Sequence, residues 1–184
     1  MQSEVILPSN KLASFVSGYF LVDIDNRDEE ISLRTYESGP SLGIPLGKPF
    51  LYYAGRALDE FEEVPFEIFD KPLLFWDSKS IECLSVKGNA RVLFIVFTDL
   101  GLEILLNEKK PDYKDPIFPL SRLGVPIFNL IVRRKLRLNR DDQSALQLVE
   151  QELIRFFRRH DIEESHQAEV DLDLEDNGDF PVIP

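Results

Sequence analysis

Residues 91–98, RVLFIVFT, restrict the possible folds of this chain more than any other segment. Residues that are β-branched or aromatic favour a β-strand, and the run is too short to cross a membrane as a helix. Because neighbouring side chains of a strand point to opposite faces, both faces of this strand would be apolar. We therefore expect a strand that the rest of the protein covers on both sides.

Other segments of the first half have the alternation or the aromatic and β-branched content of strands. They are residues 15–24, 31–36, 50–54, 64–69, 73–77 and 81–86. Residues 87–90, KGNA, separate the last of these from residues 91–98 and predict a hairpin with a four-residue loop. The glycines and prolines between Gly39 and Pro49 predict an irregular winding segment, and residues 1–11 are expected to be a loose entry.

The pattern changes from strands to helices after Thr98. Three leucines at helical spacing, in residues 102–106, follow Thr98 and Asp99, and either of these two residues can cap the helix. Residues 107–119 are polar and contain three prolines, so they are expected to form a loop. Residues 126–136 predict a short second helix.

The last helix is expected over residues 140–159, with Asn139 as its cap. Its apolar stripe, Leu146, Val149, Leu153 and Phe156, follows a three-four-three spacing, and further apolar residues widen it. A wide stripe allows two interpretations. The helix either packs entirely on its own domain or also presents a face to a second copy, in which case the following residues would form a dimer interface: Leu146, Val149, Leu153 and Phe157.

The acidic residues are concentrated at the C-terminus. The formal net charge is −12, and the nine acids of residues 161–184 account for all but about −3 of it. We therefore expect one domain over residues 1–160 and a disordered tail over residues 161–184, although a weak alternation at residues 169–174 leaves an acidic edge strand open. A nearly neutral body carries no excess positive field, so the chain alone is expected not to bind nucleic acid.

No residue pattern predicts catalysis. The two histidines, His160 and His166, lie outside every predicted strand, so we expect no barrel metal of the kind that strand histidines hold. No glycine-rich phosphate loop is present, and no histidine is placed to activate a serine or Cys83. We therefore expect a protein that is not an enzyme and that carries no metal or other cofactor.

The N-terminus has neither the basic start nor the long apolar run of a signal peptide, and no segment reaches the length of a membrane span. With a single cysteine the chain cannot form an intrachain disulfide, which suits a reducing compartment. These features predict a cytoplasmic protein without a membrane partner.

Aromatic residues give the remaining functional signal. Tyrosine and tryptophan side chains on strands can line an apolar pocket that has a few polar tips. The expected ligand-binding residues are Tyr19, Tyr36, Tyr53 and Trp76. Ordinary packing is the alternative for each of them. The cationic run at residues 133–137 could likewise meet phosphate, or face solvent or the acidic tail.

Three segments resemble the N-terminal sensor domain of AraC-type transcription regulators. KLASFVSGYFLVDID at residues 11–25 resembles its aromatic first strand, and VLFIVFTDLGLEILL at residues 92–106 resembles its strand, turn and helix. PIFPL at residues 116–120 resembles the segment before its paired helices. Thr98-Asp99 stands where the family has Pro-Gly.

The resemblance implies a cupin-like barrel that binds a small molecule or dimerises, normally followed by two helix-turn-helix motifs. Here an acidic segment follows instead, which leaves a truncated regulator and a stand-alone sensor both open. The expected fold class is α+β, a cupin-like β-barrel or sandwich followed by a C-terminal pair of helices. The expected function is ligand sensing or dimerisation. The alternatives are a stand-alone interaction module whose acidic tail contacts a basic partner, and a metal-free cupin-type enzyme.

Overall fold

The computed structural model describes residues 2–25, 30–33, 39–55, 65–76, 81, 83–106, 115–124, 127–128, 130–138 and 141–175. Its strands are β1 (Gln2–Ile6), β2 (Val16–Ile24), β3 (Glu30–Leu33), β4 (Ser41–Pro45), β5 (Phe50–Gly55), β6 (Glu67–Phe69), β7 (Leu73–Phe75), β8 (Cys83–Lys87), β9 (Ala90–Phe97) and β10 (Ile117–Pro119). Its helices are α1 (Asp99–Leu106), a 3₁₀ helix (Leu120–Leu123), α2 (Leu130–Leu138) and α3 (Asp142–Glu175).

The strands form two sheets, and every pairing within them is antiparallel. The first sheet has six strands in the order β1-β2-β9-β4-β7-β10, and the second has four in the order β3-β8-β5-β6. Phe50 and Val86 of the second sheet share a buried cluster with Ile24 and Val92 of the first. The two sheets therefore pack face to face, and we call this cluster the inter-sheet core.

The opposite face of the first sheet carries the helices. Leu93 and Ile95 of β9 belong to a second buried cluster that includes Leu136 of α2 and Val149 of α3, and we call it the helix-side core. Val92, on the opposite face of the same strand, belongs to the inter-sheet core. Each face of the segment RVLFIVFT is therefore covered by one of the two cores, which is why both faces are apolar. The prediction for this strand is confirmed, and the fold has three layers: sheet, sheet and helices.

Thr98 ends β9 and begins α1, as the sequence predicted. Its hydroxyl donates to the carbonyl of Ser14 at 2.7 Å and accepts from the backbone N–H of Gly101 at 3.1 Å. α1 crosses the turn before β2 so closely that a Cβ on Gly101 would lie 1.9 Å from the carbonyl oxygen of Phe15. Glycine at this position therefore lets the helix lie against the backbone of the turn.

The prediction of an irregular segment over residues 39–49 is wrong for its centre, because β4 is a buried strand between β9 and β7. The physical reason lies at Gly43. A Cβ there would come within 2.9–3.1 Å of ring atoms of Phe75, Phe69 and Phe94, so the missing side chain makes room for three rings. Pro45 stands at the end of the strand, where it removes little of the hydrogen-bond ladder.

The predicted hairpin at residues 87–90 is also wrong. β8 belongs to the second sheet and β9 to the first, so the two strands never pair. Gly88, with φ of +89°, and Asn89 form the short connection that carries the chain from one sheet to the other. Both strands are apolar and the connection is short, and these features are common to a hairpin and to a crossing between sheets.

The edges of the first sheet were missed by sequence reasoning. β1 pairs with β2 where a loose entry was expected, and β10 pairs with β7 inside the predicted loop of residues 107–119. β1 is polar at three of its five positions, and β10 has only three residues and ends in a proline, so neither shows the alternation by which a strand is recognised.

The last two helices follow the prediction in order but not in their ends. Asp141 is the N-cap of α3, since its carboxylate accepts from the hydroxyl of Ser144 and from the backbone N–H of Ser144, the latter at 2.9 Å. These two bonds, the hydroxyl first, hold the pKa of Asp141 below its usual value. Asn139, the expected cap, lies outside the described residues. α3 continues to Glu175, into the segment for which a disordered tail is predicted, and that tail and the domain boundary at residue 160 stay predictions. The sequence has no glycine or proline between residues 142 and 177 to stop a helix.

The α+β class predicted from the sequence is confirmed, and the two antiparallel sheets fit a sandwich. Among the described residues, no helix is both long and apolar enough to cross a membrane.

Candidate functional site

A cleft of about 490 Å³ opens between the edges of the two sheets. On one side stand β5 and β6, the last two strands of the second sheet, and on the other stands β10, the edge strand of the first. Its polar and aromatic lining includes Tyr52, Tyr53, Glu67, Lys71, Asp115 and Arg122. We call this space the edge cleft.

Strand alternation places the two tyrosines of the edge cleft differently. On β5, Phe50 and Tyr52 point toward the inter-sheet core, and Tyr53 points to the other face of the sheet. The ring of Tyr52 is buried against Phe69, at 5.3 Å between centroids, so only its polar end reaches the cleft. Tyr53 is half-buried and contributes ring surface instead.

The hydroxyl of Tyr52 donates to the carboxylate of Glu67 on the neighbouring strand at 3.2 Å. Burial, followed by the negative charge of Glu67 and this hydrogen bond, raises the pKa of Tyr52 far above its usual value. The phenol therefore stays protonated at any physiological pH, and it can serve as a fixed hydrogen-bond donor to Glu67.

Charges of both signs line the cleft. Arg122 of the 3₁₀ helix pairs with Asp115 at 3.3 Å, and both side chains are largely exposed. Lys71, in the connection between β6 and β7, is exposed as well. With Glu67 opposite, the cleft offers two cations and two carboxylates, a lining that suits a small polar molecule rather than an apolar one.

The space between the two sheets is filled. Aromatic rings follow one another across it, with centroid distances of 5.0 Å from Phe50 to Phe69, 6.4 Å from Phe69 to Phe75 and 5.5 Å from Phe75 to Phe94. The apolar cavity that remains there measures about 20 Å³, which is room for about one water molecule. A ligand of ordinary size must therefore bind outside the inter-sheet core.

The expected ligand-binding residues do not lie together. Tyr53 lines the edge cleft, and Trp76 is half-buried beside the helix-side core, with its backbone N–H donating to Pro116 at 2.9 Å. Tyr19 is fully buried on the other face of the first sheet, where its hydroxyl donates to Glu150 at 3.3 Å. Tyr36 lies outside the described residues.

Sequence reasoning missed most of the edge cleft. Tyr52 is not among the expected ligand-binding residues, and Glu67, Lys71, Asp115 and Arg122 gave no signal. With the two tyrosines they come from three separate stretches of chain, residues 52–53, 67–71 and 115–122, that only the sheet topology brings together. The adjacent pair Tyr52-Tyr53 on an otherwise apolar strand was the one available hint.

The residues expected at a dimer interface lie largely inside their own protomer. Val149 and Leu153 are completely buried, Phe157 is 1% exposed, and Leu146 packs partly against the same helix-side core. They share this core with residues of the first sheet and of α2, and their assignment to a dimer interface stays a prediction. Dimerisation itself stays a prediction.

Within the part of the chain that is described, no cluster of three or more histidine, cysteine, aspartate or glutamate side chains could hold a metal ion. Cys83 is a half-buried thiol on β8, 3.3 Å from the hydroxyl of Ser85. No protein-family model matches this sequence, and no curated protein matches it either.

Proposed function

We propose that this chain is a non-catalytic ligand-sensing domain, similar to the N-terminal domain of AraC-type transcription regulators, and that its ligand is a small polar molecule bound in the edge cleft. The observation that carries the proposal is that one wall of the cleft is continuous in the chain with the helices. Its β10 wall runs directly into the 3₁₀ helix, and the chain then continues to α2 and α3.

The size and lining of the cleft support ligand binding. Small-molecule sites measure roughly 300–1,000 Å³ and combine aromatic surface with a few placed polar groups. The edge cleft, at about 490 Å³, offers the ring of Tyr53 and charged groups on opposite walls. Since the inter-sheet space is closed by rings, the ligand would bind at the sheet edges, and not in the interior of a cupin-like barrel.

A ligand changes a protein's conformation only if it binds two states with different affinity. Arg122 and Asp115 flank β10, and the backbone N–H of Leu120 donates to the carbonyl of Pro72 at 3.0 Å. A polar ligand that competes for Arg122 or Asp115 would act on the segment that leads to the helical pair. Ligand binding would in this way change the position of the helices.

The order of elements supports the comparison with the AraC-type sensor domain. The three resembling segments coincide with β2, with the unit β9-Thr98-α1, and with β10. The two helices that follow occupy the place of the paired helices of that domain. On this basis we propose a cupin-like identity for the sandwich.

The test is thermal unfolding of the full chain in the presence of individual amino acids, sugars and small dicarboxylates. A binding compound should raise the melting temperature in proportion to the logarithm of its concentration. Tyr53→Ala and Arg122→Ala should each remove the shift, and Leu51→Ala, an exposed neighbour on β5 that does not line the cleft, should retain it. A shift that survives both cleft substitutions would place the ligand elsewhere.

A further inference from the structure

The main chain of β10 has two different sides. β10 is an edge strand of the first sheet, and within the described ranges it pairs on one side only, with β7. The backbone N–H of Trp76 donates to the carbonyl of Pro116 at 2.9 Å, and that of Leu120 donates to the carbonyl of Pro72 at 3.0 Å. In an antiparallel pair every second residue exchanges hydrogen bonds with the partner strand. The main chain of Phe118, midway between Pro116 and Leu120, therefore also faces β7.

The two alternate residues, Ile117 and Pro119, direct their main-chain groups away from β7. This side of β10 offers the N–H of Ile117 and the carbonyls of Ile117 and Pro119. Proline fits this position because it lacks only an N–H that the pairing with β7 does not use. Both residues line the edge cleft. The cleft therefore has one main-chain donor and two main-chain acceptors along its β10 wall, besides its charged side chains.

The spacing of these groups matches an extended peptide. The carbonyls of Ile117 and Pro119 are two residues apart, which is about 7 Å along a strand. An extended peptide has the same repeat, with the N–H and carbonyl of every second residue on one side. One peptide residue can exchange both bonds with Ile117 while the residue two positions before it donates its N–H to Pro119. A single amino acid is too short to make both contacts through its main chain.

The rest of the edge cleft has room for such a strand. Three extended residues are about 10 Å long, and the cleft measures about 490 Å³. The side chain of Ile117 packs against the inter-sheet core, so a peptide side chain directly opposite would point to the same face, toward the second sheet. Tyr53 and Glu67 line the cleft there. The cations and carboxylates of the lining suit the charged ends of a free peptide.

We propose that the ligand of the edge cleft is a short peptide, bound in extended conformation as an added strand along β10. The proposal rests on the proposed function, because it names the class of small polar molecule that the cleft binds. Adding a strand to the edge of a sheet is a recurring mode of peptide recognition, in which main-chain hydrogen bonds give the affinity. Peptides of different sequence therefore share the contacts to Ile117 and Pro119.

The experiment is an NMR titration of the full chain, labelled with ¹⁵N at isoleucine, with tetraalanine that has free ends. The amide signal of Ile117 should shift as its N–H becomes bonded, and the signal of Ile68, which also lines the cleft, gives the dissociation constant. Tetraalanine methylated at every peptide nitrogen keeps its charged ends but has no peptide N–H to donate. It should bind the wild type about tenfold more weakly or worse.

Two substitutions at one position test the main chain of the protein. Ile117→Pro removes the N–H on the cleft side without removing a bond to β7, and it should raise the dissociation constant for tetraalanine about tenfold. The matched control is Ile117→Ala, which removes the same side chain and keeps the N–H. It should stay within about threefold of the wild type, because the main-chain bonds are kept. Circular dichroism establishes that both variants are folded, and if Ile117→Pro is not, the methylated peptide decides on the wild type.

Three results would overturn the proposal: tetraalanine that leaves Ile117 and Ile68 unshifted, equal affinity for the methylated peptide, or equal affinity of the two folded variants. The proposed function can be separated from it. If a single amino acid, sugar or dicarboxylate raises the melting temperature through Tyr53 and Arg122 while tetraalanine does not bind, the cleft is a ligand site and its ligand is not a peptide. If neither these compounds nor tetraalanine binds, both proposals are wrong.

Discussion

The ring of Phe15 lies flat on the ring of Phe157, with 4.3 Å between the centroids and 8° between the planes. Phe15 belongs to the turn that leads into β2, and Phe157 is the last residue of α3 found in the helix-side core. The contact therefore ties the beginning of the domain to its last layer. Phe156 adds an edge-on contact to the same ring at 5.2 Å.

Phe157→Ala should lower the free energy of unfolding by about 3–5 kcal/mol, the usual cost of emptying a buried phenylalanine site. The ring is 1% exposed, so nothing but protein would line the cavity left behind. Urea unfolding followed by circular dichroism measures the change. Arg158→Ala, at the exposed neighbouring position, is the control and should stay within about 0.5 kcal/mol of the wild type. A similarly small effect of Phe157→Ala would contradict the prediction, since it would mean that neighbouring side chains move in to fill the cavity.

Gly101→Ala should destabilise the protein although alanine is the better helix former. In an exposed helix interior the substitution would stabilise by about 1 kcal/mol. Here the added methyl group would lie 1.9 Å from the carbonyl oxygen of Phe15, so α1 must move away from the turn. Gly39→Ala, at a position with nothing within 4 Å, is the control. A melting temperature that rises for Gly101→Ala would contradict the close approach.

Alkaline pH should weaken the fold through Tyr19. Burial, followed by the charge of Glu150 and the hydrogen bond to it, raises the pKa of Tyr19 far above its usual value. Its contribution to stability is therefore complete below about pH 10, where the unfolded phenol begins to ionise, and is lost as the pH rises further. The loss is at most about 1.4 kcal/mol per pH unit.

Tyr19→Phe should remove this slope, so the difference in unfolding free energy between wild type and variant should change between about pH 8 and about pH 11. Tyr52→Phe should act in the same direction through the raised pKa of Tyr52. A constant difference across that range would show that the folded tyrosine ionises normally.

Removing residues 163–184 should leave the body folded. The segment has eight of the nine C-terminal acids and no lysine or arginine, so like charges repel along the helix. We expect an unfolding free energy within about 0.5 kcal/mol of that of the full chain, measured by urea unfolding followed by circular dichroism. A large loss of stability would mean that the removed residues pack on the body of the protein.

The features that the sequence predicts well are those set by local chemistry. Apolar residues on both faces of β9 indicated a doubly covered strand, and Thr98 indicated the start of α1. In both cases neighbouring residues carry the information, through burial of successive side chains or through a cap that bonds the next turn.

The features that could not be predicted depend on distant residues. From the sequence, Gly43 is typical of a turn. Its place in a buried strand depends on Phe69, Phe75 and Phe94, whose rings occupy the space that a side chain at Gly43 would fill. The connection at Gly88 is short enough for a hairpin. A hairpin is excluded because β2 and β4 pair with the two edges of β9, which leaves no edge for β8. The edge cleft is likewise made by topology, since Glu67 and Arg122 lie far apart in the chain and gave no motif.

The crossing at Gly88 also bears on how the protein is made. Because β8 and β9 do not pair with each other, β9 must find β2 and β4, which left the ribosome long before it. Until then β2 has only the short strand β1 beside it, and its apolar residues stay exposed. Contacts so distant in sequence slow folding, and unpaired apolar strands invite aggregation meanwhile. We therefore expect the nascent chain to be most prone to aggregation before β9 is available to pair with β2 and β4.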